Sequence, residues 1–161
     1  MATIAALEGA IRARLEAKVP GPPVKPYPND PKLYKMFDPK WELLVAYRGG
    51  TFEASRNTSL VVQDRTLVFE ISVLVRDLVG HQGGYALLEA VRLALQGWKP
   101  FPDCQPFQIR SDDFLNVDTG QWYWAVFVAT KTQALPEPVP STDAPFSQIS
   151  FQTPDGKVRF P

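Results

Sequence analysis

Arg65-Thr66-Leu67-Val68-Phe69-Glu70-Ile71-Ser72-Val73-Leu74-Val75-Arg76 is the stretch on which the fold turns. Successive side chains of an extended chain point to opposite faces. Leu67, Phe69, Ile71, Val73 and Val75 therefore make one wholly apolar face, and Val68, Glu70, Ser72, Leu74 and Arg76 a mixed one. Such content predicts a strand that is buried and needs neighbours. Residues 41–48 supply one, with Trp41, Leu43, Val45 and Tyr47 opposite Glu42, Leu44, Ala46 and Arg48. Residues 121–131 supply another, with Trp122, Trp124, Val126 and Val128 opposite Tyr123, Ala125, Phe127 and Ala129. A short strand is expected at residues 107–110, and Asp118, Thr119 and Gly120 carry the turn chemistry of a hairpin leading into residues 121–131.

Outward from these strands the period changes. Thr3 can cap a helix in which Ile4, Leu7, Ile11 and Leu15 recur at spacings of three and four, ending before Pro20. Tyr85, Leu88, Val91 and Leu95, flanked by Leu87 and Ala94, form a second apolar stripe that Gly97 can close. Prolines cluster at residues 20–39, 100–106 and 136–161 and are absent between Pro39 and Pro100, so regular structure belongs in that gap. The order α β β α β β predicts an α+β fold: a mainly antiparallel, mixed sheet flanked by two main helices. Residues 49–64, small and polar, read as a long inter-strand loop. The domain is expected over residues 1–132, with residues 133–161 as a proline-rich extension. Within it Phe146, Gln148, Ser150 and Gln152 alternate with Ser147, Ile149 and Phe151, a pattern able to donate a strand to a neighbour.

Composition narrows the function. Seventeen basic residues balance seventeen acidic ones, leaving no charge surplus to drive general nucleic-acid binding. No apolar run has the length of a membrane span, and the first residues lack the apolar centre of an export signal, so production in the cytoplasm is expected. Cys104 is the only cysteine and His81 the only histidine, which excludes an intrachain disulfide and any multi-cysteine or multi-histidine metal site. Ser72 or Ser111 with His81 and an aspartate gives a formal triad, but neither serine stands in a nucleophile elbow. Residues 80–84, Gly-His-Gln-Gly-Gly, lack the lysine and spacing of a phosphate loop and read as a turn needing positive φ. Asp112, Asp113 and Asp118 read as solvated loop acids, and Trp122, Tyr123 and Trp124 as alternating sheet residues. No catalytic residue, metal or cofactor is expected. An enzyme or ligand-binding domain would need a deep polar pocket near His81 or Cys104.

The strand at residues 65–76, the Gly84-Tyr85-Ala86-Leu87-Leu88-Glu89-Ala90-Val91-Arg92-Leu93-Ala94-Leu95 helix, Gly97, Pro100, Cys104, Phe114-Leu115 and the aromatic strand from Trp122 to Thr130 form an ordered set. With the first helix and Tyr27-Pro28, this set resembles the tail terminator proteins of Mu-like contractile-tailed phages, from about Ile4 to Thr132. The resemblance implies a non-enzymatic virion protein: a subunit of a sixfold ring at the head-proximal end of the tail. Its implied partners are copies of itself, the tail tube protein, the sheath protein and head-completion or neck proteins, with DNA only in transit. Another neck component is the alternative. Interface roles are expected for Gln148, Ile149, Ser150 and Phe151 of the extension and for Arg56 and Asn57 of the long loop. Asp112, Asp113 and Asp118 are candidates for an acidic channel lining that lets DNA pass without sticking.

Overall fold

A computed structural model describes residues 2–30, 34–56, 60–79 and 83–137. Helix α1 spans Ile4–Lys18 and helix α2 Gly84–Leu95; the strands are β1 Val24–Pro26, β2 Trp41–Phe52, β3 Gln63–Val75, β4 Gln108–Asp118 and β5 Gln121–Ala134. They form one sheet in the order β1-β2-β3-β5-β4. All neighbours are antiparallel except β1, which runs parallel to β2. The α+β architecture expected from the sequence is the one observed.

Central β3 explains the layering. Leu67, Phe69, Ile71, Val73 and Val75 are all 0% exposed, because both helices lie on their side of the sheet. Thr3 Oγ1 accepts from the Ala6 amide at 3.2 Å to start α1, and Leu7, Ile11 and Leu15 turn its buried stripe onto the sheet. In α2, Leu87, Leu88, Val91, Ala94 and Leu95 do the same. The Arg14 Nε donates to the Ala94 carbonyl at 3.0 Å and ties the helices together. Full burial of each such aliphatic side chain stabilises the fold by roughly 1.5–3 kcal/mol.

The opposite face of β3 is also closed. Glu70, Ser72 and Leu74 are buried there, and Met36, Tyr27 and Tyr34 pack with Leu44, Leu74 and Tyr123. The proline-rich segment after β1 is thus a cover over the far side of the sheet. Glu42 anchors it: fully buried, it accepts from Lys25 Nζ at 3.1 Å, the Phe37 and Asp38 amides at 2.8 and 2.9 Å, and the Tyr34 hydroxyl.

Four local expectations change. β2 does not stop at Arg48; it runs through Gly49 and Gly50 to Phe52. Gly49, at φ 129°, absorbs a bulge after Tyr47, and a Cβ on Gly50 would stand 2.6 Å from the Thr66 carbonyl oxygen. These two glycines are therefore a bulged strand and not the start of a loop, and the connection contracts to residues 53–62. β4 extends beyond Arg110 to Asp118, so Asp112 and Asp113 are strand residues and not loop acids. β1 was not anticipated among the prolines. Lastly, Gly83 has φ −85°, so positive φ is not its reason; a Cβ there would lie 2.7–2.8 Å from backbone atoms of Leu78 and Val79. Gly83→Ala forces backbone apart and is expected to cost about 2 kcal/mol by chemical denaturation. The hairpin turn itself matches expectation, with Thr119 and Gly120 both at positive φ, 46° and 77°.

Candidate assembly interface

β4 is the long outer strand of the sheet. Its inner edge pairs with β5 along its length; among the described residues no strand pairs with its outer edge. Unpaired strand edges are templates for adding another strand, and proteins protect them with charge, bulges or cover. This edge has two bulges, at Ile109/Ser111 and Phe114/Asn116, and two adjacent aspartates. It also exposes apolar residues: Phe114 at 48%, Leu115 at 54% and Val117 at 47%.

The outer half of the hairpin extends past the cover of α2 and carries an aromatic series on the helix side. Tyr85 meets Trp124 edge-on with centroids 6.4 Å apart, Phe114 meets Trp124 at 5.3 Å, and Phe114 meets Trp122 at 5.9 Å. Tyr85 is itself 52% exposed. Trp122 and Trp124 are partly buried against the core, whereas Tyr85 and Phe114, with Leu115 and Val117, form an exposed apolar patch on a rigid hairpin, the kind of surface that is a candidate for protein binding. On the other face, Tyr123 donates to Gln121 Oε1 at 2.9 Å. Burial, then the nearby Asp118 carboxylate, raise the Tyr123 phenol above its ordinary value.

The candidate acids do not share one surface. Asp112 is opposite Val126, on the helix side, whereas Asp113 is opposite Ala125 and Asp118 opposite Gln121, on the other side. All three are exposed. A channel wall made from either face takes Asp113 with Asp118, or Asp112 alone. Arg56 lies at the exposed end of the β2–β3 connection, where its guanidinium pairs with Asp64 and its amide donates to the Val62 carbonyl at 3.3 Å. Asn57, Gln148, Ile149, Ser150, Phe151 and His81 lie outside the described residues.

Residues considered for chemistry are occupied structurally. Ser72 Oγ donates to Glu70 at 2.7 Å in a buried site, where Glu70 also pairs with Arg48. Ser111 Oγ donates to Asp113 at 2.8 Å. The Cys104 thiol is buried and directed at the Phe101 carbonyl, 3.2 Å away. It borders a cleft of about 640 Å³ that also contains Arg56, Asp64, Lys99, Asp103 and Lys131. Asp103 there accepts from the Ala2 amide at 2.6 Å, which lowers its carboxyl below the ordinary range and fastens the start of the chain beside the cleft. Lys131 Nζ reaches Glu53 at 2.5 Å. Among the described residues no group of three His, Cys, Asp or Glu side chains could hold a metal ion, and no helix is long and apolar enough to cross a membrane.

The sequence indicated the aromatic strand, whose Trp122, Tyr123 and Trp124 pack against the cores on its two faces, but not the exposure of β4, because the pattern of β5 alone cannot show that its neighbour is an uncovered edge. The stretch from Ser111 to Asp118, in which Phe114, Leu115 and Val117 do not alternate with the polar residues, was the available signal: a strand exposed on both faces lacks hydrophobic alternation. No curated protein matches the chain. A family model described as Gp37 protein matches residues 11–153, which takes in the second half of α1, the whole sheet and α2, and continues beyond Thr132. The chain belongs to the Gp37 protein family, a family of phage proteins, and is a phage protein of structural type.

Proposed function

We propose that this protein is a tail terminator: a ring-forming subunit, six to a ring, that caps the head-proximal end of a contractile tail and joins it to the neck. The observation that carries this reading is the open β4 edge with Phe114, Leu115 and Val117 exposed on it. A lone chain leaves this surface wet, and association with copies or partners covers it.

Termination needs no catalysis. A tube lengthens because each ring presents two different, complementary faces, a heterologous contact that does not close along the axis. A cap reproduces one face toward the last tube ring and presents another surface, toward head-completion proteins, that tube subunits do not fit. The sheath is met at the rim, and DNA passes through the opening. A rigid two-helix, five-stranded body with an exposed edge suits that task, and membership of a structural phage family accords with it.

Phe114→Asp places a charge in the aromatic series without touching the core, since Phe114 is 48% exposed. The variant is expected to keep its circular dichroism spectrum and to lower ring formation at least tenfold, about 1.4 kcal/mol per contact, as measured by native mass spectrometry with the tube protein present. A variant that assembles like the parent would remove the hairpin from the interface.

A further inference from the structure

We propose that neighbouring copies of this chain join edge to edge: residues 46–52 of β2 in one copy pair antiparallel with β4 of the next, so that one sheet continues around the ring. The inference rests on the ring reading above and specifies which surfaces make it. The sheet has a second open edge. β1 pairs with β2 only at Leu43, Leu44 and Val45, and the Tyr27 amide makes the last contact, to the Val45 carbonyl at 2.8 Å. From Ala46 onward the outer side of β2 has no strand partner among the described residues.

The two open edges suit each other in direction. β2 is antiparallel to β3, β3 to β5 and β5 to β4, so β2 is antiparallel to β4. A sheet extended in its own plane therefore makes an antiparallel seam, the better of the two pairing modes. It is also a contact between unlike surfaces, as a ring requires. Two β4 edges meeting in a register centred on Asp112 and Asp113 would instead set these against their own copies, a like-charge arrangement that destabilises strand pairs.

Charge matches on both faces of the seam. On β4, Asp112 projects on the helix side and Asp113 on the other. Beside the free half of β2, the Arg65 guanidinium stands on the helix side, 5.1 Å from the Phe52 ring centroid and with Nη2 3.4 Å from the Tyr47 hydroxyl. Arg48, still 45% exposed beside its partner Glu70, stands on the other. Asp112 with Arg65 on the helix side and Asp113 with Arg48 on the other fix both orientation and approximate register. Placing Arg48 against Asp113 also staggers the copies: Gly49 is level with Ala129 of β5, through Val68, and Asp113 with Ala125. The offset is four residues along β5, roughly 13 Å at the rise of a strand, and a sheet that closes on itself requires such a shear.

Disulfide mapping tests the seam. Thr51→Cys is combined in turn with Ser111→Cys and Asp113→Cys; Thr51, Ser111 and Asp113 all face away from the helices, and native Cys104 is buried at 3% exposure. Oxidation of assembled rings is expected to give a ladder of covalent oligomers up to the ring number on a non-reducing gel, with each single variant staying monomeric. Asp112→Lys with Asp113→Lys is expected to lower the ring population at least tenfold while the melting temperature of the chain is kept. Rings that form, by native mass, without a ladder from either pair overturn the seam. So does a ladder obtained from Ile149→Cys with Asp113→Cys instead, which would give the β4 edge to the end of the chain. A β2–β4 ladder in a protein that leaves tube growth unchanged supports the seam and counts against termination, so the two failures are told apart.

Discussion

Replacing Glu42 by alanine is expected to lower stability by about 3–5 kcal/mol, the usual consequence of removing one partner from a buried charged network. Its carboxylate is 0% exposed and accepts from Lys25, Tyr34 and the Phe37 and Asp38 amides. Removing it strands two amides and a phenol, and frees the segment that covers Leu44 and Leu74. For a domain of this size the melting temperature falls by roughly 10 °C. Glu42→Gln keeps the volume and part of the bonding and is expected to cost about 1–3 kcal/mol.

The same group gives a pH signature. Burial pushes the Glu42 carboxyl up, but hydrogen bonds from Tyr34, Asp38, Lys25 and Phe37 outweigh it, so the folded protein holds the group below the ordinary glutamate value of 4.5. Tyr34 is driven the opposite way, above the ordinary tyrosine range, by burial and by Glu42. A carboxyl with a depressed folded pKa contributes stability above its unfolded pKa and loses it as pH falls through the folded one. The stability difference between the parent and Glu42→Gln is therefore full at neutral pH and shrinks on acidification below 4.5. Thermal denaturation of both across that range checks the sign; a difference that grows with acid would contradict it.

Phe69→Ala is the second large expected loss, also about 3–5 kcal/mol. Phe69 is wholly buried on the central strand, with ring centroids 5.5 Å from Tyr47 and 6.3 Å from Phe107. Phe107 in turn stacks on Trp98 at 5.9 Å, and the Arg14 guanidinium lies 5.3 Å from the Trp98 centroid. The cavity opens where β2, β3, α1 and the approach to β4 converge, and these elements cannot all close in on it. A urea midpoint lowered by roughly 2 M, with unchanged slope, is the expected readout. Against a typical total of about 5–15 kcal/mol, either substitution removes enough stability to lose function without touching an interface.

The core was legible because burial writes itself into period. Leu67, Phe69, Ile71, Val73 and Val75 announced a strand, and Leu7, Ile11 and Leu15 a helix, from spacing alone. Elements exposed at the edges were not legible to the same degree. β4 from Ser111 to Asp118 is exposed on both faces along most of its length, so nothing selects an alternating pattern. β1 lies among prolines that an edge position tolerates and that sequence reading treats as breakers. Gly49 and Gly50 have loop chemistry but serve a bulge, and only the Thr66 carbonyl beside Gly50 distinguishes the two. For the candidate interface, the residues were visible and their grouping was not: Asp112 and Asp113 are neighbours in sequence and therefore face apart on a strand.

The most direct measurement of the central claim is electron microscopy of the cognate tube protein polymerising with and without this chain, scoring tube length and the object at each end. Growth is expected to stop, with a sixfold ring of this protein on one end only. Tubes of unchanged length, bare at both ends with sheath and tape-measure proteins also present, would contradict termination and direct the search to the other roles of the neck.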